Sequence, residues 1–195
     1  MNEFYYEVDN VFDLDQIRDI ALPYITEDWK KVDDVTGLRD FSDRIVIPVI
    51  EHVYLSLLQE RFPKLHPLCK ILKNSERQWP VHVDVNRRVS INIPLANTGE
   101  GKFTQFYTGG EQVEWWKGYF GSLYDTWQSN QYHTYIANSE HAVDYVLHEK
   151  PAIINTTQPH SVFNQHADPV DPNPRFILAW GYHGTFEQAI EDFSQ

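Results

Sequence analysis

The sequence predicts a mainly β domain with supporting helices, closed as an antiparallel sandwich or barrel, on three observations. From residue 68 onward, short β-rich runs recur between turn signals, with no helices alternating between them. In residues 82–95, HVDVNRRVSINIPL, side chains sort into two rows of strand period. Val83, Val85, Val89, Ile91, Ile93 and Leu95 form the apolar row; His82, Asp84, Arg88, Ser90 and Asn92 form the other. Third, the polar row holds an imidazole, a carboxylate, a guanidinium, a hydroxyl and an amide. These are binding groups, so the row reads as the wall of a polar cavity.

The 195 residues fit one domain with a substantial core. We expect helical support over 1–67, a strand core over 68–183 and a closing helix over 184–195. Residues 13–22 carry helical spacing, with Asp13 as N-cap and Pro23 just past the end. The charged stretch 27–41 reads as a loop. A second helix is expected over about 47–60, with Val49, Ile50, Val53, Tyr54, Leu57 and Leu58 as its apolar face and Pro48 at its first position. Strands follow at 69–72, 78–84, 88–96 and 102–107, the last two joined by a hairpin loop at 97–101. The aromatic stretch Trp115–Gln131 has no clean period and reads as an inserted loop or lid. A second hairpin is expected from 133–137 and 142–147, then strands at 152–156 and 176–182. Thr185 and Gln188 have the spacing of a capping box, opening a short helix on Phe186, Ala189, Ile190 and Phe193.

The formal charge of −12 argues against a phosphate backbone or an anionic membrane as partner, and favours neutral or cationic targets. No apolar run reaches spanning length, and residues 1–10 are acidic rather than leader-like. The single cysteine, Cys69, can form no internal disulfide. Together these predict a soluble, cytoplasmic, monomer-sized domain whose oligomeric state the sequence leaves open.

Residues i and i+2 of a strand project to one side, so His82 and Asp84 can reach one ion. Two imidazoles and a carboxylate with open positions form the facial triad of non-haem iron sites. His166 and Asp168 repeat the same pattern, but among Pro169, Pro172 and Pro174, where alternation is broken. Position therefore selects the first pair. His160 follows an apolar strand and is the candidate third ligand, with His166 as its rival. Arg175 opens the apolar run FILAW, from which a guanidinium in the cavity would pair with a carboxylate. His133, His141, His148 and His183 lack comparable partners and are taken as structural.

The set His82-x-Asp84, His160 and Arg175 resembles the Fe(II)/2-oxoglutarate-dependent oxygenase superfamily, the double-stranded β-helix (jelly-roll, cupin-like barrel) enzymes. The run from Asn86 to Leu95, together with Gln158-Pro159-His160-Ser161-Val162 and Asn164, is similar more narrowly to the aspartyl/asparaginyl β-hydroxylase-like branch. The likeness spans about residues 68–183. It implies that His82, Asp84 and His160 hold Fe(II) and that Arg175 binds the distal carboxylate of 2-oxoglutarate. Ser90 and Asn92, where that branch often carries Arg and His, are candidate hydrogen-bond donors to the co-substrate. The long interval from His160 to Arg175 implies an extended loop. The activity implied is a dioxygenase, hydroxylating a small molecule or protein side chain with dioxygen and releasing succinate and CO2. Two other functions fit a similar barrel: a cupin-like metalloprotein without 2-oxoglutarate, and a metal-free binding or structural module.

Overall fold

The computed structural model describes residues 2–26, 43–74, 77–85, 87–119, 130–147, 149–166 and 174–194. Two antiparallel six-stranded sheets face each other. The first has the order β1 (Tyr5–Glu7), β10 (Ala152–Asn155), β5 (Val89–Ala96), β12 (Arg175–Tyr182), β3 (Leu65–Asn74), β2 (Asp43–Pro48). The second has the order β7 (Glu111–Tyr119), β8 (Asn130–Ala137), β4 (His82–Asp84), β11 (His160–Asn164), β6 (Lys102–Thr108), β9 (Glu140–Tyr145). Eight of these strands form the jelly roll: β3, β12, β5 and β10 oppose β4, β11, β6 and β9. This chain is a double-stranded β-helix, as expected, and β7 and β8 widen the second sheet beyond β4.

Residue parity explains how the first sheet is buried on both faces. Odd residues of β5 (Val89, Ile91, Ile93, Leu95) and of β3 (Leu65, Cys69, Ile71) join one core with three helices: α1 (Leu14–Thr26), α2 (Val53–Arg61) and α3 (Phe186–Phe193). Even residues of the same strands face the second sheet, where Ile154, Ile177, Ala179 and Phe106 form a smaller cluster. β12 lies between β5 and β3 and is buried along its whole length.

The helix ends follow local chemistry. Asp13 caps α1 through Gln16 N, 3.1 Å from Oδ1. The helix then runs past Pro23 to Thr26, one turn beyond the expected end. At α3, Thr185 accepts from Gln188 N and the Gln188 side chain accepts from Thr185 N, the capping box read from sequence. Phe193 of α3 stacks on Phe62 with centroids 4.4 Å apart, tying the last helix to the end of α2.

Several local expectations are corrected. The helix expected over 47–60 divides into β2, a 3-10 turn (Val49–Glu51) and α2. The β-branched run Ile45-Val46-Ile47 wins as a strand, and its edge position tolerates Pro48, which has no N–H to give. The buried face of α2 is Leu55 and Leu58, while Ile50 and Val53 are exposed. The two strands expected at 78–84 and 88–96 are present as β4 and β5, but they belong to different sheets, and the chain crosses between them after Asp84. Neither expected hairpin forms, because β5 and β6 lie in opposite sheets, and β8 and β9 lie at opposite sides of one. The 97–101 turn still needs its glycines. Gly101 has φ +74°, and a Cβ there would come within 2.2 Å of the His166 ring. The first part of the aromatic stretch is β7, paired with β8; residues 120–129, most of the expected lid, lie outside the described residues, as do the loop 27–41 and His148.

Candidate metal centre

β4 and β11 are antiparallel neighbours in which His82 and His160 are direct partners. Their rings therefore meet, with centroids 4.4 Å apart. Asp84, two residues along, projects to the same side. One ligand atom from each of His82, Asp84 and His160 lies within 4.8 Å of the others, and all three residues are buried.

Both imidazoles are oriented the same way. His82 Nδ1 lies 2.8 Å from Pro80 O, and His160 Nδ1 lies 2.9 Å from Gln158 O. A carbonyl can only accept, so each Nδ1 carries a proton, which leaves Nε2 of each ring as the atom able to offer a lone pair to an ion. Such a bond to a backbone carbonyl is how metal-binding histidines are usually fixed. Asp84 is fixed by Arg87, whose Nε (3.1 Å) and Nη2 (2.7 Å) both donate to Oδ2. Oδ1 then faces His82 Nε2 at 3.8 Å, too long for a hydrogen bond. Two imidazole nitrogens and a carboxylate oxygen converging on one point is a donor set that fits a divalent ion.

The backbone around this point is pinned. Asp84 N donates to Thr156 O at 2.9 Å, Thr156 N to Arg88 O at 3.1 Å, and Thr156 Oγ1 to Arg87 O, tying the crossing from β4 to β5 down onto the end of β10. Before β4, Pro80 interrupts the expected 78–84 strand, but the chain stays bonded to β11 through Trp79 N to Val162 O (3.0 Å) and Ser161 Oγ to Trp79 O.

The triad opens into a cavity between the two sheets. His82, Asp84, His160, Ser90, Asn92 and Arg175 all line it. Ser90 Oγ donates to Asn92 Oδ1 at 2.8 Å, so that hydroxyl proton is already engaged. Arg175 is 2% exposed, and its Nε and Nη1 have no hydrogen-bond partner among the described residues. Burial pushes its pKa down to about 10, with Tyr145 opposing the shift.

Two expectations differ. Arg88 is exposed and absent from the cavity wall, where its neighbour Arg87 stands instead. His166 is exposed, packs over Gly101, and stands outside the triad. Sequence reasoning missed Lys70, Asn74, Trp79, Arg87, Thr104 and Thr156, all on the wall. The signal for Lys70 and Asn74 was available, since they share even parity with Leu72 on β3. The wall is also cationic, with Lys70, Lys73, Arg87 and Arg175 beside Asp84, although the chain as a whole is acidic.

No family model matches the sequence, and no curated protein matches it. Among solved structures, it is similar to a Pseudomonas putida prolyl-4-hydroxylase (12% identity, 93% of each chain covered, TM-score 0.48). It is also similar to the non-heme alpha ketoglutarate dependent epimerase SnoN from nogalamycin biosynthesis (10% identity, 93% of this chain and 78% of that one, TM-score 0.46). A third is HygX from Streptomyces hygroscopicus with nickel and 2-oxoglutarate bound (10% identity, 94% of this chain and 84% of that one, TM-score 0.39).

Proposed function

We propose that this protein is an Fe(II)- and 2-oxoglutarate-dependent dioxygenase. The observation that carries the reading is one cavity holding two convergent imidazole nitrogens, a carboxylate and a buried guanidinium with two N–H groups that have no partner among the described residues. A metal site without an anionic co-substrate gives no reason to keep that guanidinium out of water.

In this reading His82 Nε2, Asp84 Oδ1 and His160 Nε2 hold the ion. Pro80 O, Gln158 O and Arg87 fix the direction of each ligand. A ferrous ion held there supplies dioxygen activation, coupling decarboxylation of 2-oxoglutarate to succinate and CO2 with oxidation of a substrate C–H bond. Arg175 takes the distal carboxylate in a charge-assisted pair. Ser90 and Asn92, already bonded to each other, present one fixed polar edge to the same ligand. Leu72, Ile154, Val162 and Ile177 supply apolar wall that keeps water from the reacting centre. Hydroxylation is the outcome we assign, on the likeness of the two motif runs to the aspartyl/asparaginyl β-hydroxylase-like branch.

The test is anaerobic titration of the protein with Fe(II) and then 2-oxoglutarate. A weak visible charge-transfer band that needs both additions is expected. Metal binding with no band on adding 2-oxoglutarate would favour the cupin-like reading, and no metal binding would favour a metal-free module.

A further inference from the structure

Lys70 of β3 is 4% exposed and lies on the cavity wall. It shares its parity with Leu72 and Asn74, which line the same cavity. Register gives its depth. Across β3 and β12, Asn74 is the partner of Arg175 and Lys70 the partner of Ala179. Ala179 is in turn the partner of Asn92, so Lys70, Ala179 and Asn92 form one rung across the first sheet. The second sheet is tied to the Asn74 rung by Asn164 Nδ2, which donates to Asn74 O at 3.3 Å. Four residues back from that tie stand Lys70 on β3 and His160 on β11, each roughly 13 Å along its strand. The other end agrees: Asp84 N bonds Thr156 O and Thr156 N bonds Arg88 O, on the far side of the Asn92 rung from Arg175. Lys70 therefore faces the paired His82 and His160 from the opposite sheet, at their level, while Arg175 stands at the other end of the cavity.

The cations of the wall divide by position. Arg87 is engaged by Asp84. Arg175 takes the distal carboxylate of 2-oxoglutarate in the reading above, and Lys73 adjoins Asn74 at that same end. Lys70 alone of these lysines stands level with the two histidines. A buried ammonium opposite a divalent ion is costly, and a ligand anion between them offsets the cost. 2-Oxoglutarate does not supply the balance, because its two negative charges only match the two positive charges of Fe(II). Among the described lining residues, four cationic side chains still stand against the one carboxylate of Asp84. The acidity of the whole chain does not decide what binds here, since screening over about 8 Å leaves the field inside the cavity to its own wall. A single ammonium is a compact point charge and suits a monoanion, whereas a phosphate dianion would ask for more donors than this rung offers.

We propose that the substrate of this site is a small monocarboxylic acid, anchored through its carboxylate by Lys70 opposite the metal ligands. This rests on the 2-oxoglutarate reading above and names the substrate class. Ala179, beside Lys70 on the same face, is small and leaves room for the anion over the rung.

The test is calorimetric titration of the protein loaded with 2-oxoglutarate and with Zn(II) in place of Fe(II). The titrants are the straight-chain acids from butanoate to octanoate and their primary amides, which match them in shape without the charge. At least one acid is expected to bind about 10-fold or more tighter than its amide. Lys70→Met and Lys70→Gln are expected to abolish that preference and leave 2-oxoglutarate affinity unchanged, with Lys70→Arg recovering much of it. Thermal unfolding at or above the wild-type midpoint shows that a variant keeps the fold. An acid preference that is missing throughout the series, or that survives in both neutral variants, overturns the inference while the 2-oxoglutarate reading stands. Weakened 2-oxoglutarate binding in both variants gives Lys70 to the co-substrate, and tighter Lys70-dependent binding of the matching alkyl phosphates changes the class; either overturns it likewise. A wild type that binds Zn(II) but not 2-oxoglutarate overturns both.

Discussion

Arg87 donates two hydrogen bonds to a single oxygen of Asp84, Oδ2, at 3.1 and 2.7 Å, and so turns Oδ1 toward His82 and His160. The carboxylate is held ready before any ligand arrives. Arg87→Ala should lower divalent-metal affinity roughly 10- to 100-fold, as loss of an orienting partner generally does. Arg87→Lys should recover part of it, because an ammonium cannot make the two-pronged contact. Metal titration followed by tryptophan fluorescence checks this; unchanged affinity in Arg87→Ala would mean that the pair is structural.

Arg175 carries its charge at a cost in the ligand-free protein. Its folded pKa is lowered from 12.5 to about 10, so the penalty is complete at neutral pH and relieved only as pH rises above about 10. Replacing such an ion by an apolar side chain of similar size often stabilises by roughly 1–4 kcal/mol. Arg175→Met should therefore raise the unfolding midpoint while removing any stabilisation by 2-oxoglutarate. Thermal melts with and without 2-oxoglutarate decide it, and a lowered midpoint in the ligand-free variant would contradict the account.

His66 should make the fold acid-sensitive. Its Nδ1 accepts from Leu68 N at 3.1 Å, and burial, opposed by a backbone contact at Leu68 and reinforced by His183 and Lys70, lowers its pKa to about 4. The unfolded chain takes up this proton near pH 6.5, so the stability it contributes is complete above 6.5 and lost as pH falls through about 4. The loss is on the order of 3 kcal/mol. Denaturant unfolding from pH 7.5 to 4 should show a shallower decline in His66→Gln than in the wild type. Equal declines would place the acid sensitivity elsewhere.

The α3 cap offers a local stability test. Thr185→Ala removes the acceptor for Gln188 N and should cost about 1 kcal/mol with no change in metal binding. Urea unfolding and the same metal titration check both parts; a change in metal affinity would show that α3 couples to the cavity.

What could be read from sequence was what strand parity fixes locally. His82, Asp84, Ser90 and Asn92 line one cavity even though the chain changes sheet between them, because the even parity survives the crossing. The division into strands 78–84 and 88–96 was legible, but the change of sheet between them was hidden, since residues 82–95 keep one alternation throughout. Counting through it put Arg88 inward, whereas the turn after Asp84 brings Arg87 back to the carboxylate. The 47–60 segment was misread because its apolar spacing fits a helix while β-branched residues at its start favour a strand. The cationic wall was hidden by the total charge: Lys70 and Arg175 are buried, and the −12 resides in side chains elsewhere. Asn74 could only be paired with Arg175 once the register of β3 against β12 was known.

The central claim is that His82, Asp84 and His160 share one divalent ion. A crystal structure of the Fe(II)-soaked protein under anaerobic conditions, with anomalous scattering at the iron edge, tests it most directly. The account predicts a single strong peak among His82 Nε2, Asp84 Oδ1 and His160 Nε2, absent from Asp84→Ala crystals of unchanged fold. No peak there, or iron retained at full occupancy in Asp84→Ala, would contradict it.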